Sequence, residues 1–210
     1  LGRNLAVDYL IKNISNFSEV KYLTCIDSDD EMIDIKERLK LFINEEIAMV
    51  TASVERLYEN NNKVVLMLGI PEFLHGYNQW RYVYTKGYPY QSTIWRLSFF
   101  KEISKITKYI DTDFGIWDTS IRYGEDKAAI WFSFKRLLEL KKKCLSNPKI
   151  ISIRYHIHEN CETVEVDKSE KLIKQLKSDH IKIVQSCLNP VEQIDRFVHK
   201  KLFSLIKQCK

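Results

Sequence analysis

Cys25-Ile26-Asp27-Ser28-Asp29-Asp30 constrains this chain more than any other stretch: an apolar run stops abruptly at three carboxylates. Lys21 to Ile26 is rich in β-branched and aromatic residues and predicts a short buried strand. A buried strand ending in acids sets carboxylates at the carboxyl edge of a sheet, where open α/β folds bind ligands. Asp27 and Asp29, two positions apart, can converge on one hard cation that prefers oxygen ligands. The blander alternative is an Asp-rich turn that caps the following helix, since Asp and Ser favour turns and N-caps.

The rest of the chain is built to support such an edge. Its 210 residues, 45% hydrophobic and 29% charged, fit one ordinary domain with a substantial core. No window approaches eighteen consecutive apolar residues, so no transmembrane helix is expected, and no signal peptide is visible. The five cysteines (25, 144, 161, 187 and 209) form no CxxC pair, which suits free thiols in a reduced, cytoplasmic setting. The net charge of +5 is carried by the segment from Asp167 to Lys210, while the body before it is neutral. A neutral body offers no basic groove for a phosphate backbone, so nucleic acid is not an expected partner.

Hydrophobic spacing predicts the elements. Arg3 to Leu10 reads as a helix with Leu5, Ala6, Tyr9 and Leu10 on its apolar face. Ile35, Leu39 and Phe42 predict a helix over about 33–44. Ile47 to Leu57 alternates as a strand, Asn60-Asn61-Asn62 is a turn, and Val64 to Leu68 returns as the second strand of a hairpin. Pro71 to Ser92 is irregular and aromatic, either a cover over the core or a binding lid. Ile94 to Phe100 carries Trp95 and Arg96 into a short element, and 108–120 reads as loop. Lys127 to Lys143 predicts a strong helix closed by Lys141-Lys142-Lys143, where cations suit the negative dipole end. Asn147-Pro148 reads as a helix stop before a strand from Ile150 to His158. Two basic amphipathic helices, from Ser169 and from Asn189-Pro190, make a C-terminal extension that docks on the domain or, as the second reading, touches an anionic membrane surface.

Three clusters carry chemistry: Asp27-Ser28-Asp29-Asp30, Gly124-Glu125-Asp126 and His156-Ile157-His158. Asp29 with a histidine can hold a divalent ion that neutralises a departing diphosphate. Asp126 starts a helix, whose positive dipole end keeps a carboxylate ionised and able to accept a proton from a hydroxyl. Alternatively, Glu125 and Asp126 are only helix-capping acids, and the histidines only polar residues of a strand.

Taken in order, these segments resemble family 2 glycosyltransferases. Gly2-Arg3-Asn4-Leu5-Ala6 and Ile26-Asp27-Ser28-Asp29-Asp30 resemble that family's "ARN…A" helix and "LDSDD" strand end. Thr93-Ile94-Trp95-Arg96-Leu97 is similar to its "WNKLY" segment, Gly124-Glu125-Asp126 with Arg136-Leu137-Leu138 to "YED…RLL", and Tyr155 to Cys161 to "YYYRxHxNS". The similarity runs from residue 2 to about 163. The resemblance implies an α/β, GT-A-like mixed sheet flanked by helices over 1–166, with a helical extension over 167–210. It implies an inverting transfer of a sugar from a nucleoside-diphosphate donor to a hydroxyl of a glycan or lipid-linked acceptor, with Mn²⁺ or Mg²⁺. By position, Arg3, Asn4, Asp27 and Asp29 would face the nucleotide sugar. Asp126 would be the base, Glu125 and Trp95 would meet the acceptor, and Asp29, Asp30, His156 and His158 would serve the metal. The family's first strand and following βα units have no counterpart before Leu1, so the chain is expected to be either an N-terminally truncated piece or a catalytically inactive remnant that binds glycan or scaffolds a partner. His156 stands where the family often has Arg.

Overall fold

The computed structural model describes residues 2–17, 19–86, 89–105, 112–117 and 125–158, with 174, 175 and 178 of the tail. Apart from 174, 175 and 178, both predicted tail helices lie outside the described residues, as do the tail cysteines and much of 108–124. Among the described residues no helix is long and apolar enough to cross a membrane.

The chain is mixed α/β. Helix α1 (Gly2–Lys12) and a 3₁₀ turn (Ile14–Phe17) lead to β1 (Tyr22–Thr24), β2 (Glu31–Met32) and α2 (Ile35–Leu39). The hairpin β3 (Ile47–Tyr58) and β4 (Lys63–Met67) precedes α3 (Gly76–Lys86), a 3₁₀ turn (Tyr90–Ser92), β5 (Ile94–Arg96) and α4 (Leu97–Ser104). Helix α5 (Glu125–Glu139) and β6 (Lys143–Ile157) complete the described domain. The six strands form one sheet in the order β1-β5-β3-β6-β2, with β4 also on β3. Strands β4 and β5 lie antiparallel along one edge of β3, while β6 runs parallel along the other.

Strand β3 is the centre of the sheet, and its burial departs from the expected alternation. Ile47 to Val54 are all buried, because side chains on both faces meet apolar neighbours. One face joins the main core with α1, α3, α4 and α5; the other, through Ile47 and Val50, meets Tyr22, Leu39, Leu41 and Phe42. The expected helix over 33–44 is correspondingly short, five residues in α2, with Phe42 delivered by the turn after it.

Helix α1 turns a different face inward from the one its apolar residues suggested. Leu5 and Tyr9 are exposed, whereas Asn4, Val7 and Ile11 are buried. The reason is polar: Asp8 accepts the backbone N–H groups of Asp113 and Phe114, and Asn4 binds Trp117, so the helix is rotated to hold the 112–117 segment.

Pro71 to Ser92 contains a helix rather than a lid. Tyr77, Trp80 and Tyr84 recur at helical spacing along α3, and Tyr84 packs on Trp131 of α5 with ring centroids 4.3 Å apart. Those aromatics therefore cover the core, as the first of the two readings had it.

The lysine run and the proline are also placed differently. Helix α5 starts two residues earlier than expected and stops at Glu139, with Lys141 in the left-handed region at φ 53° and Lys143 already in β6. Asn147-Pro148 lies inside β6. There the register against β3 jumps, Ala52 pairing Asn147 and Ser53 pairing Ile151. Pro148 cannot donate to a ladder, so the strand bulges at it. Ser53 anchors the bulge, its Oγ donating to the Pro148 carbonyl at 2.7 Å and accepting the Gly69 N–H at 3.0 Å. Gly69 is required there, since a Cβ would sit 2.7 Å from the Ala52 carbonyl oxygen.

Candidate active site

The sheet edge at the end of β1 gathers residues from both ends of the domain. The Asp27–Asp30 segment forms a tight turn, Asp30 N–H donating to the Asp27 carbonyl at 3.1 Å, and it does not cap α2, whose N-cap is Asp34. Arg3 on α1 reaches over this turn. Its Nη2 donates to Asp27 Oδ1 at 2.5 Å, and its Nη1 donates to Asp126 Oδ1 at 2.5 Å and to Glu125 Oε1 at 3.3 Å. Two acids from the first turn of α5 and one from the turn after β1 therefore converge on one guanidinium. The first-turn location also sets both acids in the positive end of the α5 dipole.

Asp126 has a second donor. Trp117 Nε1 donates to the same Oδ1 at 2.9 Å, so both bonds land on one oxygen and neither on Oδ2. Burial raises the Asp126 carboxyl above its usual value, and the negative charge of Asp27 adds to the rise while Arg3 and Trp117 oppose it. Burial alone would lower Arg3, but Asp126, Asp27 and Glu125 outweigh it and hold the guanidinium charged at every accessible pH.

Asn4 is placed by the structure behind the site and not at its surface. It is fully buried, its Nδ2 donating to the Trp117 carbonyl at 2.7 Å and its Oδ1 accepting the Trp117 N–H at 3.2 Å. The expected contact of Asn4 with a nucleotide is corrected accordingly: it positions Trp117, and Trp117 positions Asp126. Trp95 lies on the pocket wall but within the core, its indole N–H donating to Ser133 Oγ at 3.3 Å and its ring edge-on to Trp117. Spacing could not single out Trp117, which sits alone in a loop, nor Tyr90 and Gln91, which also line the pocket. The free space enclosed is about 20 Å³, enough for roughly one water. Cys25 lines the same pocket with its thiol pushed up to about 12 by burial, hence protonated and inert at neutral pH.

The second group of predicted residues lies beside the first, where β6 ends. His158 Nε2 is 3.1 Å from Asp29 Oδ2, a bond that lowers the Asp29 carboxyl below its usual value. His156 is turned away from Asp29. Its Nδ1 is 3.0 Å from Glu59 Oε1, while its backbone N–H donates to Asp30 Oδ1 at 3.1 Å. Asp30 Oδ2 is buried with no hydrogen-bond partner among the described residues, and burial, followed by the nearby Asp27 and Asp29 charges, pushes its carboxyl up to about 6.

Among the described residues no three His, Cys, Asp or Glu side chains converge closely enough to cage a metal ion by themselves. The donor set still fits one kind of ion. Mg²⁺ and similar hard cations are held by one or two carboxylates, with water and substrate phosphate completing the shell. Asp29, joined by His158, and the orphaned Asp30 oxygen offer that incomplete set; His156 meets Glu59 through Nδ1, and its Nε2 is buried with no hydrogen-bond partner among the described residues.

No family model matches the chain, and no curated protein matches it at a significant level.

Proposed function

We propose that this chain is a GT-A-like glycosyltransferase domain that transfers a sugar from a nucleoside-diphosphate donor to a hydroxyl acceptor. The observation that carries the reading is the convergence of Arg3, Asp27, Glu125 and Asp126, from sequence positions more than 120 residues apart, with Asp29 and His158 alongside. Arg3, Asp27, Asp29, Glu125, Asp126 and His158 come from the resembling motifs, whereas Arg96 and Arg136 of the same motifs pair elsewhere, with Glu45 and Glu139.

In this reading Asp126 is the base. Its Oδ2, which takes no hydrogen bond among the described residues, accepts the proton of the acceptor hydroxyl, whose oxygen forms the new bond to the anomeric carbon. The bond from that carbon to the diphosphate oxygen breaks, and the electron pair departs with the diphosphate. Arg3 supplies positive charge at the same place, and Trp117 and Arg3 fix the orientation of Asp126 through Oδ1. Asp29, Asp30 and His158 would hold the divalent ion, whose chemistry is to neutralise the leaving diphosphate. The small cavity favours a second reading, a remnant that binds glycan or scaffolds a partner without catalysis.

Calorimetry with nucleoside diphosphates in the presence and absence of Mn²⁺ or Mg²⁺ tests the proposal. Binding that requires the ion and is abolished in Asp29→Ala supports it. Metal-independent binding, or none, counts against it. An Asp126→Asn chain that keeps full binding and loses sugar transfer separates the enzyme from the remnant.

A further inference from the structure

A second cavity, of about 540 Å³, opens at the far end of α5, and the proposed reaction makes no use of it. It lies roughly 18 Å along the helix from Asp126, twelve residues at 1.5 Å each. Its size falls within the range of small-molecule sites, roughly 300–1,000 Å³. The interior wall is apolar, formed by Phe134, Leu137 and Leu138 from α5. Buried Gln79 braces the wall by donating to the Cys144 carbonyl at 3.2 Å.

The rim is cationic. Lys141, Lys142 and Lys143 and the ring of His75 border the opening, at the amino end of α3. Of the three lysines, only Lys143 has a carboxylate partner among the described residues, Glu46 at 2.7 Å. Lys142 Nζ donates to the Glu45 carbonyl at 3.2 Å and, after Lys143, its charge also lowers the Glu46 carboxyl, so one carboxylate faces two of the three lysines and the rim keeps an excess of positive charge. Lys141 borders the cavity with a left-handed backbone, a conformation that glycine would adopt more easily.

We propose that this cavity binds a single-chain amphiphile with a phosphate head, its alkyl chain along Phe134, Leu137 and Leu138 and its head on Lys141 and Lys142. Charge complementarity selects an anion, and the apolar interior selects a chain. A bare phosphate would leave the interior unfilled, and a neutral chain would leave the lysines unmatched.

Titration of the full chain with decyl phosphate, followed by calorimetry, tests this, with inorganic phosphate and decanol as separate arms. Decyl phosphate is expected to saturate at one per chain and to bind at least tenfold tighter than either control. The double variant Lys141→Gly/Lys142→Gln should weaken it at least tenfold. That variant keeps the fold accessible, because glycine accepts the left-handed conformation at 141. A Leu138→Gln variant should weaken decyl phosphate and leave any phosphate binding unchanged. Equal binding of inorganic phosphate, equal binding of decanol, an unaffected double variant or no binding at all would each overturn the proposal. None of these readouts involves the nucleotide, so failure here leaves the glycosyltransferase reading standing.

Discussion

Asn4 and Trp117, 113 positions apart, exchange two hydrogen bonds through one buried side-chain amide. The amide matches both the N–H and the carbonyl of the tryptophan, whose indole in turn donates to Asp126. Asn4→Leu keeps approximate volume but leaves two buried backbone groups unpaired. Each such group costs about 1–3 kcal/mol. Urea unfolding should therefore show a loss of roughly 2–6 kcal/mol, and an unchanged midpoint would remove Asn4 from the support of the site. Gly115 belongs to the same contact: a Cβ there would collide with the Asn4 side chain. Gly115→Ala should be destabilising for that reason.

Arg3 separates the two roles a cation can have in this cluster. As a ligand for diphosphate, it must exchange Asp27 and Asp126 for phosphate oxygens, and Arg3→Met should weaken nucleoside-diphosphate binding at least tenfold. Arg3→Lys should restore part of it, keeping the charge without the planar fork that spans two acids. As an internal staple alone, Arg3→Met would bind as the parent does and lose only stability. That loss would be small, because the pairs are part-exposed and such pairs contribute roughly 0–1 kcal/mol each.

The charged residues of the site were legible in the sequence because each sits at a signalled boundary. Asp27 to Asp30 follow a β-rich run, Glu125 and Asp126 open a helix, and His156 and His158 stand two positions apart where a strand ends. What was not legible depended on partners distant in sequence. The inward face of α1 is chosen by Asn4 and Asp8 binding the 112–117 segment, a polar requirement that an apolar pattern does not encode. The alternation expected in β3 failed because both faces of the sheet are covered there. Asn147-Pro148 looked like a stop, and the bulge that keeps it within β6 rests on Ser53 and Gly69, about 95 and 80 residues earlier in the chain. His156 and His158 could not be told apart until Glu59 was placed against one and Asp29 against the other.

Helix α5 ends in a Schellman arrangement with a lysine where glycine is usual. The Lys142 N–H donates to the Leu137 carbonyl at 2.9 Å and the Lys141 N–H to the Leu138 carbonyl at 3.2 Å, with Lys141 at φ 53°. A non-glycine residue held there carries strain of order 1–3 kcal/mol, partly offset in glycine by its freer unfolded chain. Lys141→Gly should raise stability by about 1 kcal/mol in urea unfolding. Lys141→Val, β-branched at the same φ, should lower it by a comparable amount. If both variants match the parent, the turn is not strained.

The pH dependence of the proposed transfer, with Asp126 as its base, follows from where Asp126 sits. A base works only when ionised, so activity is lost as pH falls through its folded-state pKa. Burial raises that value above the ordinary aspartate value of about 3.9, and the acid limb of kcat/KM should lie above it correspondingly. The sign for stability follows the same shift. A carboxyl whose pKa is raised on folding opposes the folded state once it is charged, so its unfavourable contribution appears as pH rises through the folded value and disappears below the ordinary one. Removing a donor sharpens the test: Trp117→Phe deletes the indole N–H that favours the carboxylate while keeping an aromatic ring. Its acid limb should move to higher pH than the parent's, with the alkaline side unchanged. A limb that stays in place, or moves down, would take the proton-accepting role away from Asp126.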